Sequence, residues 1–452
     1  MRYSILYLLL LLLVLKGCTT DHEDKMHRPN FVIIQADDLG WDDLPLNGNK
    51  YVQTPGLDKL ASEAVEVSRF YVNPVCAPTR ASLLTGRDFL LTGVSHVHGG
   101  KDYLNLNEKT FGNFFIAEGY KTGMWGKWHS GKTEGYFPWQ RGFDEAYMAQ
   151  LYKHKESEGL LNGKHVKSNR WADEVIVDYA IDFVNRNIND PFVAYLSFLT
   201  CHAPLIARDS IVENFKNKGL SENLSKLYAM IEQMDNEILR FLDELSRLGL
   251  KENTLVIFIS DNGPAVNNNW LTDKDRKIRY ASGYKGHKGN IWENGVKSPL
   301  LISYPRMLEK RKVSLLSDVT DIFPTIAEFA GIDLSKFNLE LTGKSFAKNL
   351  IEMNYSRPIK TVFNYADRAW PPSKEVWTPR GIKNEYAPLS NNPKLKEYDS
   401  QIIFLITEDY KLLKNPSARE SDNIDERGYM LVAAEDDPFE KQNLSTQRAE
   451  IF

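Results

Sequence analysis

Cysteine is scarce in this chain: Cys18, Cys76 and Cys201 are the only three among 452 residues. So few thiols cannot build a disulfide framework, and stability has to come from an apolar core. Positive charge is not in excess either, since 56 basic against 60 acidic residues leave a net charge of -4. No long basic run is present, which argues against nucleic acid as a partner. Long apolar runs are missing except at the N-terminus, where 5–15 is too short to span a bilayer but has the length of a secretory signal core. Internal repeats and low-complexity tracts are absent beyond that leader. What remains is ordinary globular composition, 42% hydrophobic and 26% charged, in a chain long enough for one large domain and a smaller one.

The leader ends in Leu15-Lys-Gly-Cys18, which resembles a bacterial lipoprotein cleavage box. That resemblance implies a signal peptide over 1–17, a lipid on Cys18 and a polar tether over 18–28. Membrane contact would then run only through the lipid, with the chain in the cell envelope, periplasmic or surface-exposed. Ordinary signal cleavage near Lys16 is the alternative. Asp21, Glu23 and Asp24 in the tether are loosely similar to surface-export signals.

Four apolar runs read as buried strands: 30–36, 120–126, 191–200 and 254–260. Helical periodicity lies between and around them at 54–70, 110–118, 171–187 and 221–248. Such alternation indicates an α/β layered fold. Each strand run delivers ionisable groups at its C-terminal end: Asp37 and Asp38, Lys127 and His129, Cys201 and His202, Asp261 and Asn262. Adjacent carboxylates repel unless a cation lies between them. Asp37-Asp38 reads equally well as a solvated turn, and Asp261-Asn262-Gly263 alone reads as a turn. If parallel strands bring them to one edge, they offer hard oxygens suited to calcium or magnesium and no soft ligand for zinc.

The organising stretch is 75–87, Val-Cys-Ala-Pro-Thr-Arg-Ala-Ser-Leu-Leu-Thr-Gly-Arg. Pro78 suits a first helical turn and Gly86 a stop, which sets Cys76 at a helix N-terminus where an anion is favoured. Taken alone, Cys76 reads as a small buried hydrophobe. A thiol phosphatase would place arginine six positions on, where Ser82 stands. Cys76-x-Pro78-x-Arg80 followed by Leu-Leu-Thr-Gly-Arg87 resembles the signature of type I sulfatases, in which the cysteine is oxidised to formylglycine; Thr79 replaces the more usual serine. Lys288, Gly289, Glu293, Gly295 and Lys297 are similar to a second family run, with Asn294 and Lys297 in place of glycine and arginine. The segment 317–331, read as a helix closing the large domain, and the ending Asp437-Pro-Phe-Glu-Lys-Gln-Asn-Leu444 are similar to family segments as well.

The resemblance implies an alkaline phosphatase-like α/β sandwich, with a large mixed, mainly parallel sheet and a smaller C-terminal antiparallel sheet. Its domains would be a catalytic unit over 29–345 and a C-terminal subdomain over 346–452, with hairpin strands at 402–413 and 429–432. It implies hydrolysis of sulfate esters by a hydrated formylglycine formed from Cys76, with a formylglycine-generating enzyme as maturation partner. Asp37, Asp38, Asp261 and Asn262, with residue 76, match the ligands of one calcium ion, magnesium being the alternative. Arg80 and Lys127 match groups that hold the diol and sulfate, His129 the base, and His202 and Lys288 the pair at the bridging oxygen; His202 is the better acid, since imidazole titrates near neutrality. The substrate would be a sulfated glycan or fragment, with His96, His98, Asp102, Arg368 and Trp370 as candidate contacts, residues that equally read as loop and surface. Two rival readings stand beside this one: a phosphoester or phosphonate hydrolase of the same superfamily, and a non-catalytic glycan-binding homologue.

Overall fold

The computed structural model describes residues 28–98, 100–265, 270–352, 355–366, 402–416 and 424–451. Cys18 and the leader, and the candidate contacts Arg368 and Trp370, lie outside the described residues. No helix among the described residues is long and apolar enough to cross a membrane.

The strands, in chain order, are β1 (Asn30–Ala36), β2 (Val65–Val67), β3 (Phe70–Tyr71), β4 (Lys121–Gly126), β5 (Glu145–Ala149), β6 (Glu158–Leu161), β7 (Lys164–Lys167), β8 (Phe192–Ser197), β9 (Thr254–Ser260), β10 (Leu300–Ser303), β11 (Arg311–Val313) and β12 (Ser317–Asp318). They continue with β13 (Val362–Ala366), β14 (Ile402–Ile406), β15 (Tyr410–Lys414) and β16 (Tyr429–Ala433). Ten of them form one sheet in the order β11-β2-β10-β9-β1-β8-β4-β5-β6-β7, and β13 to β16 form a separate antiparallel sheet. The four apolar runs of the sequence are the neighbouring strands β9, β1, β8 and β4, all mutually parallel. Antiparallel pairing enters at β10 and at β6 and β7. The expected mixed, mainly parallel sheet with a small antiparallel companion is what the chain forms.

Alternation along these strands fills two cores, because successive side chains point to opposite faces. Val32, Ile34, Ala194 and Leu196 pack with helices Ala172–Arg186 and Glu222–Arg247 on one face. Phe31, Ile33, Val193, Tyr195 and Ile257 pack with helices Phe111–Ala117 and Ile322–Phe329 on the other. Each of the Val, Leu, Ile and Phe side chains contributes about 1.5–3 kcal/mol of burial, so the central strands are fixed in register from both sides.

Two helical expectations change. The pattern at 54–70 holds a helix only over Pro55–Ala61, after which Val65–Val67 pairs as β2 between β10 and β11. Alternating Val-Glu-Val suits a strand, and a partner edge was available. At 317–331 the helix spans Ile322–Phe329, because Ser317 and Asp318 pair with β3 and Asp318 then caps the following turn.

Candidate active site

Parallel strands that start level also end level, so the register carries its ends to one edge. Ala36 lies opposite Ser260, and Ser197 opposite both Gln35 and Gly126. The residues that follow, Asp37, Asp261 and Lys127, therefore meet. Helix Cys76–Thr85 points its N-terminus at them, opening at Val75 in extended backbone and closing on Gly86 at φ 66°.

Two carboxylates and one sulfur converge there: ligand atoms of Asp37, Cys76 and Asp261 lie within 4.8 Å of one another. Each carboxylate already has a cationic partner on one side. Lys127 Nζ donates to Asp37 Oδ2 at 2.6 Å, Lys288 Nζ to Asp38 Oδ1 at 2.6 Å, and Arg80 Nε and Nη2 to Asp261 Oδ2 at 3.0 and 2.6 Å. Asp38 N donates to Asp261 Oδ1 at 3.1 Å and Asn262 Nδ2 to Asp38 Oδ1 at 2.8 Å. Two buried oxygens have no hydrogen-bond partner, Asp37 Oδ1 and Asn262 Oδ1. Buried polar atoms are rarely left so, and orphaned hard oxygens beside further carboxylates fit a divalent cation.

Electrostatics keep Asp261, Lys127 and Lys288 ionised. Burial opposes charge on Asp261, but Arg80 and Lys127 outweigh it and hold its carboxyl below the ordinary range. Burial likewise opposes charge on Lys127 and Lys288, and the carboxylates, Asp37 and Asp38 first, raise both above the usual lysine value. Three carboxylates are thus matched by three cationic side chains; adding a divalent ion leaves positive charge, the sign that admits an anionic substrate.

His129 stands at φ 57°, which turns its ring back to the helix N-terminus. Its Nε2 lies 3.0 Å from the Val97 carbonyl oxygen and its Nδ1 3.3 Å from Cys76 Sγ. A carbonyl can only accept, so Nε2 carries the proton and Nδ1 presents a lone pair to residue 76. Burial, reinforced by Lys127, holds the imidazole well below its ordinary pKa and neutral. His202 Nδ1 is 2.8 Å from the Ala203 carbonyl oxygen, while its Nε2 is 3.7 Å from Asp38 Oδ2.

The loop bearing Lys288 is stitched to this edge. Lys288 N donates to Pro264 O at 3.0 Å and Gly289 N to Pro74 O at 2.7 Å. Gly263 N donates to Gly295 O at 3.0 Å, and a Cβ on Gly263 would fall 1.8 Å from the Asn294 carbonyl oxygen. Lys297 pairs with Glu293 at 3.0 Å and lies over Trp41.

Of the candidate substrate contacts, His98 is near the site: burial, then the charges of His129, Lys132, Lys288 and His202, pulls its pKa down to about 4. Asp102 Oδ2 is 3.8 Å from His129 Nε2. His96 is buried, its Nδ1 accepting from Val97 N at 2.8 Å.

Sequence reasoning missed Ser197, Tyr152 and the Asp43–Arg279 pair. Ser197 Oγ accepts from Arg80 Nη1 and donates to Lys127 O at 2.7 Å; its place at the end of a buried strand was the available signal. Arg279 Nη2 reaches Asp43 Oδ2 at 2.7 Å, buried behind the Asp38 turn. Tyr152 brings its ring 4.9 Å from that of His202.

An α/β sheet whose C-terminal edge joins a candidate cation site to a ring of basic side chains defines an enzyme for anionic esters. The Sulfatase family model matches residues 29–332, and the chain belongs to the sulfatase family; it is a sulfuric ester hydrolase. Arylsulfatase H of Canis lupus familiaris is 27% identical over 398 residues, covering 67% of this chain and 69% of that one. An ulvan-active sulfatase of Formosa agariphila is 28% identical over 344 residues, covering 70% and 64%. The crystal structure of Ps i-CgsB in complex with k-i-k-neocarrahexaose superposes with a TM-score of 0.76 at 24% identity over 94% of this chain and 90% of that one.

Proposed function

We propose that this sulfatase removes O-sulfate from glycans or glycan fragments. Cys76 is converted to formylglycine by a formylglycine-generating enzyme, and Asp37, Asp38, Asp261 and Asn262 with residue 76 hold one calcium ion, magnesium being the alternative. One observation carries the reading: Cys76 Sγ sits 3.3 Å from an unprotonated His129 Nδ1 and beside Asp37 and Asp261. An aldehyde hydrate formed at residue 76 would present its hydroxyls to the same groups. Once modified, residue 76 would supply one hydroxyl to attack sulfur and a second whose deprotonation would let sulfate leave, and a cation held by Asp37, Asp38, Asp261 and Asn262 would supply Lewis acidity towards that hydroxyl and a sulfate oxygen.

His129 Nδ1 takes the proton from the second hydroxyl, because Val97 O fixes the other ring proton away from it. Arg80 and Lys127 hold the attacking group and the sulfate, their own positions set by Ser197, Asp37 and Asp261. With Nδ1–H donated to Ala203 O, protonated His202 carries its labile proton on Nε2 and delivers it to the departing alkoxide. Lys288, kept charged by Asp38, steadies the negative charge on that oxygen. The glycan assignment draws on the ulvan-active relative and on the neocarrahexaose bound to the similar fold. Export as an N-terminally lipidated envelope protein, with 29–345 and 346–452 as its units, completes the proposal.

Co-expression with a formylglycine-generating enzyme, followed by mass spectrometry of the Cys76 peptide, tests the conversion. The expected mass is that of the aldehyde or its hydrate, together with sulfate-ester turnover that is lost on chelation and regained with calcium. Faster turnover of a phosphate ester with the same leaving group would overturn the substrate class. Unmodified Cys76 in protein from the native host would favour a non-catalytic glycan binder.

A further inference from the structure

The loop leaving β5 carries a side chain that none of these roles uses. Tyr152 adopts φ 67°, a conformation that costs a bulky L-residue energy and persists only where neighbours impose it. They do so here: Lys153 Nζ is tied to Glu158 at 2.6 Å, and the carbonyl of buried His154 accepts from Ala172 N at 2.8 Å. What the strained turn delivers is a partly exposed aromatic ring set against His202. Tyr152 remains 45% exposed, 4.9 Å from the His202 ring at an interplanar angle of 44°, and it lies in the field of Lys127, Cys76, Lys288 and Asp37.

The sulfate end of the site is closed, since Arg80, Lys127, Asp37 and Asp261 are all buried. The alcohol part of an ester must therefore emerge past the partly open groups at the bridging oxygen, the His202 and Lys288 side chains at 21% and 18% exposure. The partly exposed ring that flanks His202 at this edge is Tyr152, 4.9 Å from the imidazole. We propose that the Tyr152 ring is the platform on which the sugar ring of the leaving alcohol rests, making it a specificity-determining residue for pyranose sulfates. This rests on the sulfatase reading. A flat aromatic face meets the C–H face of a pyranose, while its tilt against His202 leaves the imidazole edge free for the bridging oxygen.

Unconverted protein, with Cys76 intact, allows binding to be measured by calorimetry in calcium without turnover. The probes are galactose 4-sulfate, galactose 6-sulfate and N-acetylglucosamine 6-sulfate, with methyl sulfate as the ringless comparison. Y152N removes the ring yet suits the left-handed backbone, and Y152W restores an aromatic face; thermal unfolding verifies that both are folded. The expected result is about three- to tenfold weaker binding of the tightest sugar sulfate by Y152N relative to methyl sulfate, with Y152W near wild type. In converted enzyme the same variant raises KM for that sugar sulfate more than it lowers kcat. Equal losses for sugar and methyl sulfate, or no loss for the sugar, would overturn the platform. If converted wild type turns over no sulfate ester, the sulfatase reading falls with it, a result distinct from an active enzyme indifferent to Tyr152.

Discussion

Arg80 has no exposed atoms, and its guanidinium is shared among Asp261, Ser197 and the Lys127 carbonyl. Removing it strands the Asp261 charge in the interior, so Arg80→Ala is expected to cost about 3–5 kcal/mol in urea unfolding. His129 makes no ion pair of that closeness, and its loss should act on rate instead. His129→Ala is expected to lower kcat by about 10²–10⁴-fold with a smaller change in KM, measured on converted enzyme in steady state. Both residues were singled out in the sequence, Arg80 by Cys-x-Pro-x-Arg and His129 by its place after a strand end, but their roles came only from the sulfatase resemblance. Ser197 and Tyr152 were not. A serine ending an apolar run has no distinguishing neighbour, and a tyrosine in a loop acquires its place only when β5 and β8 are brought into one sheet.

Among the elements, helix Ala172–Arg186 carries a buried acid in its first turn. Asp173 Oδ2 accepts from Thr200 Oγ1 at 2.6 Å while Oδ1 has no partner, and burial pushes the carboxyl up to about 7. A folded-state value above the unfolded one means that the native protein holds a proton the unfolded chain releases. The contribution is full below about pH 4 and is lost as pH rises towards about 7. Between about pH 5 and about pH 8, Asp173→Asn should therefore gain stability relative to wild type as pH increases, read as the difference in Tm across the range. The four central strands were legible as apolar runs and the long helices from their period, whereas β5 to β7, β10 and β11 were not anticipated. The misread element, 54–70, failed where a three-residue strand between two non-local partners, β10 and β11, carries too few residues to display a period.

At the scale of the whole molecule, the small sheet is locked to the loop bearing Lys288 by charge. Lys411 Nζ on β15 forms ion pairs with Glu440 Oε1 at 2.6 Å and Glu293 Oε2 at 3.2 Å, Glu440 Oε2 accepts from Glu293 N at 2.9 Å, and Lys285 Nζ reaches Glu440 O at 2.9 Å. All of Lys411, Glu293 and Glu440 are buried. Lys411→Met leaves two acids facing each other and is expected to destabilise by about 3–5 kcal/mol. Limited proteolysis should then cut within 284–297 sooner than in wild type, with activity falling although Lys411 touches none of the reacting atoms. No sequence spacing announced this lock, since its members lie far apart in the chain and only the folded state pairs them.

The bare α-carbon of Gly263 has a consequence for redesign. With the Asn294 carbonyl pressed against it, the turn bearing Asn262 and the segment bearing Lys288 share a single mould. Transplanting a foreign 284–297 segment to change substrate preference will succeed only if that carbonyl keeps its path, so the two segments must be exchanged together or left together.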